Sequence, residues 1–138
     1  MSSVERALCD TGPLVAIADR FDTSHTECRD ALGAFGGNLV TTWPVLTEAF
    51  YFVDDPPARH FLWEFVLRPA VEVVNLSLDD LARIRSLMTK YASLPMDFAD
   101  ASLVVLAERL RLSRVFTLDR RDFLLYRPLH IRTFETFP

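Results

Sequence analysis

Residues 95–110 read Pro-Met-Asp-Phe-Ala-Asp-Ala-Ser-Leu-Val-Val-Leu-Ala-Glu-Arg-Leu. Beyond Asp97 and Asp100 this run is apolar on most sides of a helix, and such a helix belongs buried against a sheet rather than laid on a surface. The rest of the chain has to supply that sheet. The acids at the head of the helix have a local explanation, with Asp97 as N-cap and Asp100 in the first turn, both favoured by the positive end of the helix. What gives them a second meaning is where the other acids fall.

Residues 4–9 read as a strand that stops at Asp10-Thr11-Gly12-Pro13, after which 14–18 turns helical, since glycine permits a tight turn and proline opens a helix without needing a donor. A second helix over 24–35 has Ser24 or Thr23 as cap, Glu27 to close a capping box, and Gly33, Gly36 and Gly37 near its end. Residues 38–41 lean to strand, and Thr42-Trp43-Pro44 starts a helix that carries Glu48 about one turn in. Asp54-Asp55-Pro56-Pro57 is a stop, followed by a helix over 58–67. A strand over 71–76 leads to a helix from Ser77, with Asp80 three residues on, to about Tyr91. After the buried helix, 114–118 is a strand that stops at Asp119, and 130–134 alternates enough to be the last strand. Five strands alternating with helices imply right-handed crossovers and a mostly parallel sheet covered on both faces.

Sheets of that kind bind ligands at the carboxyl ends of their strands. Asp10 falls at the end of the first strand, Glu48 one turn past the second, Asp119 at the end of the fourth, and Asp97 and Asp100 head a helix beginning at the same edge. Carboxylates crowded without lysine or arginine between them repel unless protonated or neutralised by cations. Hard oxygen donors suit Mg²⁺ or Mn²⁺, and an acidic cage with open positions hydrolyses phosphodiesters. The net charge of −4 lacks the basic footprint of most nucleic-acid binders, but two divalent cations in such a cage would bring it near zero. Of 15 basic residues only Lys90 is lysine, a bias that suits bidentate phosphate recognition and that GC-rich coding also produces.

The constellation resembles the PIN domain and, within it, the VapC-like toxin nucleases of toxin–antitoxin pairs. The likeness runs from Leu8-Cys9-Asp10-Thr11 through Thr47-Glu48-Ala49 and Ala99-Asp100-Ala101 to Thr117-Leu118-Asp119-Arg120-Arg121-Asp122-Phe123, where order and spacing together carry it. By position, Asp10, Glu48, Asp100 and Asp119 match the family's acidic quartet, which coordinates Mg²⁺ or Mn²⁺ and cleaves RNA. The resemblance further implies an α/β/α sandwich, a homodimer and a partner antitoxin.

Each residue also has a plainer reading. Asp10 can begin a turn, and Glu48 can complement its helix. Asp97 and Asp100 share a helix face and compete for one ligand position; Asp100 is preferred, with Asp97 as cap or neighbouring acid. Asp122 is expected to cap a short helix over 123–126 or to lie just outside the acidic centre. Thr11 and Thr117 offer hydroxyls to water, to a carboxylate or to a turn. His25, His60 and His130 are scattered, and Cys9 and Cys28 form neither a disulfide framework nor a zinc pattern, so both cysteines are expected to be buried and unreactive. Arg120, Arg121 and Arg127 flank the fourth strand's end and can hold phosphates. The aromatic runs 50–52 and 61–63 sit on adjacent helices, as a hairpin core or as a surface for a second copy or an antitoxin.

At 138 residues, half of them hydrophobic, the chain suits one domain, and no stretch resembles a signal peptide or a spanning helix, so a cytoplasmic protein is expected. Two rival functions remain. Phosphatases and receiver domains that phosphorylate an aspartate at a strand end want a lysine beside the phosphoryl group, whereas Lys90 lies inside a helix; the first also want a second aspartate where Gly12 stands. A catalytically silent interaction module gains nothing from grouped, repelling acids.

Overall fold

The computed structural model describes residues 4–138. Its frame is a five-stranded sheet formed by β1 (Arg6–Cys9), β2 (Asn38–Thr42), β3 (Val71–Val74), β4 (Arg114–Phe116) and β5 (Glu135–Phe137), in the order β3-β2-β1-β4-β5 with every pair parallel. Seven helices make the crossovers: α1 (Thr11–Ala18), α2 (His25–Phe35), α3 (Trp43–Phe52), α4 (Pro56–Val66), α5 (Leu78–Lys90), α6 (Phe98–Leu110) and α7 (Arg120–Leu125). This is the expected α/β/α architecture with a parallel central sheet. The winding reverses between β1 and β4, so the crevice for a ligand opens at the carboxyl ends of those two strands.

Among the described residues, α6 contributes more buried residues to the core than any other element. In α6, Ala99 and every residue of 101–107 are buried, and the helix packs on β1, β2, α3 and α5. Its one buried hydroxyl has partners: Ser102 donates to the Ala99 carbonyl at 2.7 Å and pairs with Thr42 Oγ1 at 2.7 Å, which ties α6 to the end of β2. Thr41 on β2 donates to the Cys9 carbonyl of β1 at 2.8 Å. These bonds set the carboxyl ends of two strands and the head of α6 in one frame.

Several boundaries differ from the sequence expectation, each for a local reason. The first helix begins at Thr11 because Asp10, with extended backbone, caps it by accepting from the Thr11 amide at 2.8 Å; Pro13 still lies in the first turn, where amides have no intrahelical partner. In α4 both prolines are inside the helix, under the Asp55 cap on the Ala58 amide at 3.0 Å. The box expected at α2 does not form, because Ser24 is not extended (φ −98°, ψ 7°) and makes no side-chain cap bond; Asp22 instead accepts from the Ser24 amide at 2.8 Å. Asp122 is not a cap either: α7 starts at Arg120, since Thr117 Oγ1 takes the Asp119 amide at 2.9 Å and turns the chain into the helix early.

The last strand lies at Glu135–Phe137, not at 130–134. His130 is hooked to the Leu112 carbonyl at 2.7 Å, and Phe134 is buried against Phe123, which leaves Phe137 to stack on Phe116 (5.0 Å) and to meet Phe35 at a tilt (5.1 Å). Gly36 closes α2 with φ +66°, and Gly37 lies so close to the Glu5 carbonyl and the Phe35 ring that a side chain there would collide. The two cysteines are buried and unpaired, as expected, and burial pushes both thiols above their ordinary range, Cys28 to about 11.

Candidate active site at the carboxyl edge of the sheet

Asp10 leaves β1 directly into the crevice at the winding reversal. It is buried, 7% exposed, and both of its oxygens have donors: the Thr11 amide at 2.8 Å on Oδ1 and the Thr117 hydroxyl at 2.7 Å on Oδ2. Thr117 follows β4, so one hydroxyl joins the ends of β1 and β4 while accepting from the Asp119 amide. Glu48, on α3, receives the Thr11 hydroxyl at 2.7 Å on Oε1. At the head of α6 a reciprocal capping box forms: the Asp100 amide donates to Asp97 Oδ1 at 2.8 Å, and the Asp97 amide donates to Asp100 Oδ2 at 3.3 Å. Thr11 and Thr117 thus bind carboxylates, the option the sequence left open beside a turn.

An open cavity of about 740 Å³ is lined by Asp10, Glu48, Asp97, Asp100 and Asp119 together, with Thr11, Phe52 and Leu118 among its other walls and with Asp19 and Asp22 on its rim. All five acids singled out in the sequence meet there, and no lysine, arginine or histidine lines the space. For Asp10, Glu48, Asp100 and Asp119 the electrostatic consequence has one direction. Burial raises Asp10 to about 6, against the opposing hydrogen bonds of Thr117 and the Thr11 amide and with added repulsion from Asp119 and Asp97. Burial, then the charges of Asp10 and Asp97, raises Asp100 to about 8. Glu48 is raised by burial and by the Asp97 carboxyl beside it, despite the Thr11 bond, and Asp119 by burial and Asp122.

Such a cavity is short of positive charge, and its donors are all hard oxygens, the set that fits Mg²⁺ or Mn²⁺. Grouped acids without a cation repel one another, and among the described residues no three His, Cys, Asp or Glu side chains stand close enough to make a ready-made metal cage. The histidines take no part: His25 and His130 bond backbone carbonyls and His60 is exposed. Arg120 and Arg121 are exposed in the first turn of α7 beside Asp119, whereas Arg127 donates to the Leu124 and Tyr126 carbonyls at the helix end.

Three residues, two on the cavity wall and one behind it, are not legible as site residues in the sequence. Asp19 and Asp22 look like ordinary turn formers, and their carboxylates do accept from the Phe21 and Ser24 amides; nothing in Asp19-Arg20-Phe21-Asp22 says that the turn borders a site. Tyr126 is the third. It is fully buried, donates from its hydroxyl to Asp100 Oδ2 at 3.3 Å, and lies outside any acidic motif.

A parallel sheet whose winding reversal carries a carboxylate cavity belongs to the α/β proteins that bind ligands outside the carboxyl ends of their strands. The chain belongs to the PIN domain family, whose model matches residues 7–127. It is similar to the ribonuclease VapC26 of Mycobacterium tuberculosis, at 28% identity over 134 residues covering 95% of this chain and 99% of that protein. Its fold is that of the M. tuberculosis toxin VapC20, described as cleaving the sarcin–ricin loop (TM-score 0.79, 16% identity, 93% of this chain and 99% of that one). A toxin–antitoxin complex from Klebsiella pneumoniae contains a similar chain (TM-score 0.60, 22% identity, 91% and 99% covered).

Proposed function

We propose that this chain is a single-domain, Mg²⁺- or Mn²⁺-dependent endoribonuclease and the toxin of a toxin–antitoxin pair. The observation that carries the reading is the meeting of Asp10, Glu48, Asp97, Asp100 and Asp119 in one cavity without a basic side chain. Asp10, Glu48, Asp100 and Asp119 hold the cation, with Asp97 beside Glu48 as cap and fifth acid. A divalent cation held there would supply a water of lowered pKa and positive charge to set against the phosphate. The chain's own part is positional. Thr117 orients Asp10, Thr11 orients Glu48, and the capping box holds Asp97 and Asp100 at the head of a rigid helix. Arg120 and Arg121 offer donors to RNA phosphates at the rim.

The relatives support the partners. The kinship with a ribonuclease and the likeness to a sarcin–ricin loop cleaving toxin support RNA as the substrate, and the likeness to a chain of the Klebsiella toxin–antitoxin complex supports an antitoxin as the regulator. The antitoxin takes the apolar face between α3 and α4, where Trp43, Trp63 and Leu67 are more than half exposed and border a cavity of about 330 Å³ with Phe50. The functional unit is a homodimer, as the family resemblance implies, and it acts in the cytoplasm. Among the described residues no helix is long and apolar enough to cross a membrane.

The test is cleavage of structured cellular RNA by purified protein with Mn²⁺, with Mg²⁺ and with chelator, beside Asp100→Asn prepared identically. Cutting that needs metal and falls by about 100-fold or more in the variant is the expected result. No cutting together with no effect of metal on the protein would make it a silent interaction module.

A further inference from the structure

The short helix α7 touches the acidic cavity at both ends. Asp119 precedes it on the cavity wall, and Tyr126 follows it, turned into the protein with none of its surface exposed. The Tyr126 hydroxyl donates to Asp100 Oδ2 at 3.3 Å, and the same oxygen accepts from the Asp97 amide at 3.3 Å. Both donors fall on one oxygen. Among the described residues, Asp100 Oδ1 receives no hydrogen bond from the protein.

Resting on the metal-site reading above, we propose that Tyr126 is a positioning residue for that site: its hydroxyl fixes the Asp100 carboxylate by one oxygen and leaves Oδ1 as the oxygen offered to a divalent cation. The tyrosine is itself held on several sides. Its ring meets Tyr91 edge-on at 5.2 Å and Phe123 edge-on at 5.2 Å, contacts that a phenylalanine at either position keeps. A donor anchored in this way restricts the rotation of the carboxylate before any ligand arrives, so less freedom is lost on binding. Packing alone does not require the hydroxyl, since phenylalanine would fill the same aromatic cluster. The hydroxyl's hydrogen-bond partner is the carboxylate.

Two variants separate this role from a structural one. Tyr126→Phe removes the hydroxyl on Asp100, and Tyr91→Phe removes a hydroxyl from the same cluster that touches no acid of the cavity. Mn²⁺ binding is measured by calorimetry and by the Mn²⁺ dependence of the melting temperature, alongside melting in chelator. Tyr126→Phe is expected to melt in chelator close to wild type and to bind Mn²⁺ about 10-fold more weakly, while Tyr91→Phe keeps wild-type affinity. Wild-type Mn²⁺ affinity in Tyr126→Phe, or an equal loss in both variants, would overturn the positioning role and leave the metal site intact. A wild type that does not respond to Mn²⁺ at all would overturn the metal reading and this inference with it.

Discussion

The two ends of α6 carry acids in opposite electrostatic circumstances. At its head, Asp97 and Asp100 face Asp10, Glu48 and Asp119 with no cation among them. Near its tail, Glu108 accepts from Arg83 Nε and Nη2 at 3.0 Å each and from the Leu129 amide at 2.8 Å, and Arg109 donates to Asp80 at 2.7 Å and to the Asn75 carbonyl at 3.1 Å. The shifts follow the partners. Burial and like charge lift Asp100 to about 8, whereas at Glu108 burial is outweighed by Arg83 and the Leu129 amide, which hold the carboxyl below its ordinary range. The tail shows that this fold pairs an acid with arginine where it serves as a strut between α5 and α6. The head withholds the same remedy, which leaves room for a cation from solution.

If the contrast reflects a metal site, Mn²⁺ should act on one end only. At 100 times its dissociation constant it is expected to stabilise wild type by about 2.7 kcal/mol by mass action, Arg83→Ala equally, and Asp10→Asn and Asp100→Asn much less. Denaturant unfolding with and without the ion measures this, and equal gains in all four proteins would put the ion elsewhere.

The next effect is the pH dependence of the metal-free protein. A carboxyl raised from 3.8 to about 6, as Asp10 is, contributes stability that is complete below about pH 4 and lost as the pH rises through 6; Asp100 extends the same loss to about pH 8. Wild type should therefore weaken from pH 4 to pH 8 in chelator. Asp10→Asn should flatten that trend and be more stable at pH 8 by about 1–2 kcal/mol, a part of the linkage being offset by weaker bonds to Thr117 and Thr11. Melting curves across that range decide it, and a steeper decline in the variant would contradict the repulsion. Glu108, being lowered, works in the opposite sense: its stabilisation is present above the ordinary carboxyl range and lost as the pH falls through the shifted value.

The smallest expected effect belongs to the paired end. Arg83→Ala is expected to cost about 1 kcal/mol in urea unfolding, because the pair is partly solvated, and to leave RNA cleavage unchanged. A loss of cleavage without a loss of stability would show that the two ends of the helix are coupled.

The carboxylates were readable because strand-end acids declare themselves by position: Asp10, Glu48 and Asp119 each follow a short β-type run, and Asp97 with Asp100 opens a helix of nearly unbroken apolar character. The box at Ser77 and Asp80 was readable for the same reason, since both partners lie within one turn. Asp97, offered either as cap or as ligand, is the cap of α6 and lines the cavity as well. Less visible was anything that depends on a partner far along the chain. The alternation over 130–134 gives way to β5 because Phe116 and Phe35, remote in sequence, accept Phe137.

The order of strands and helices, and the acids at their carboxyl ends, came from the sequence itself, because period, capping and strand-end position are local properties of a chain. Only the tertiary structure decided which oxygens are tied and which are free. Thr117 reaches Asp10 across 107 positions, Thr11 reaches Glu48 across 37, and Tyr126 reaches Asp100 across 26. Hydrogen bonds act over about 3 Å and are indifferent to sequence separation, so a hydroxyl becomes part of a site only when packing brings its oxygen to the acid.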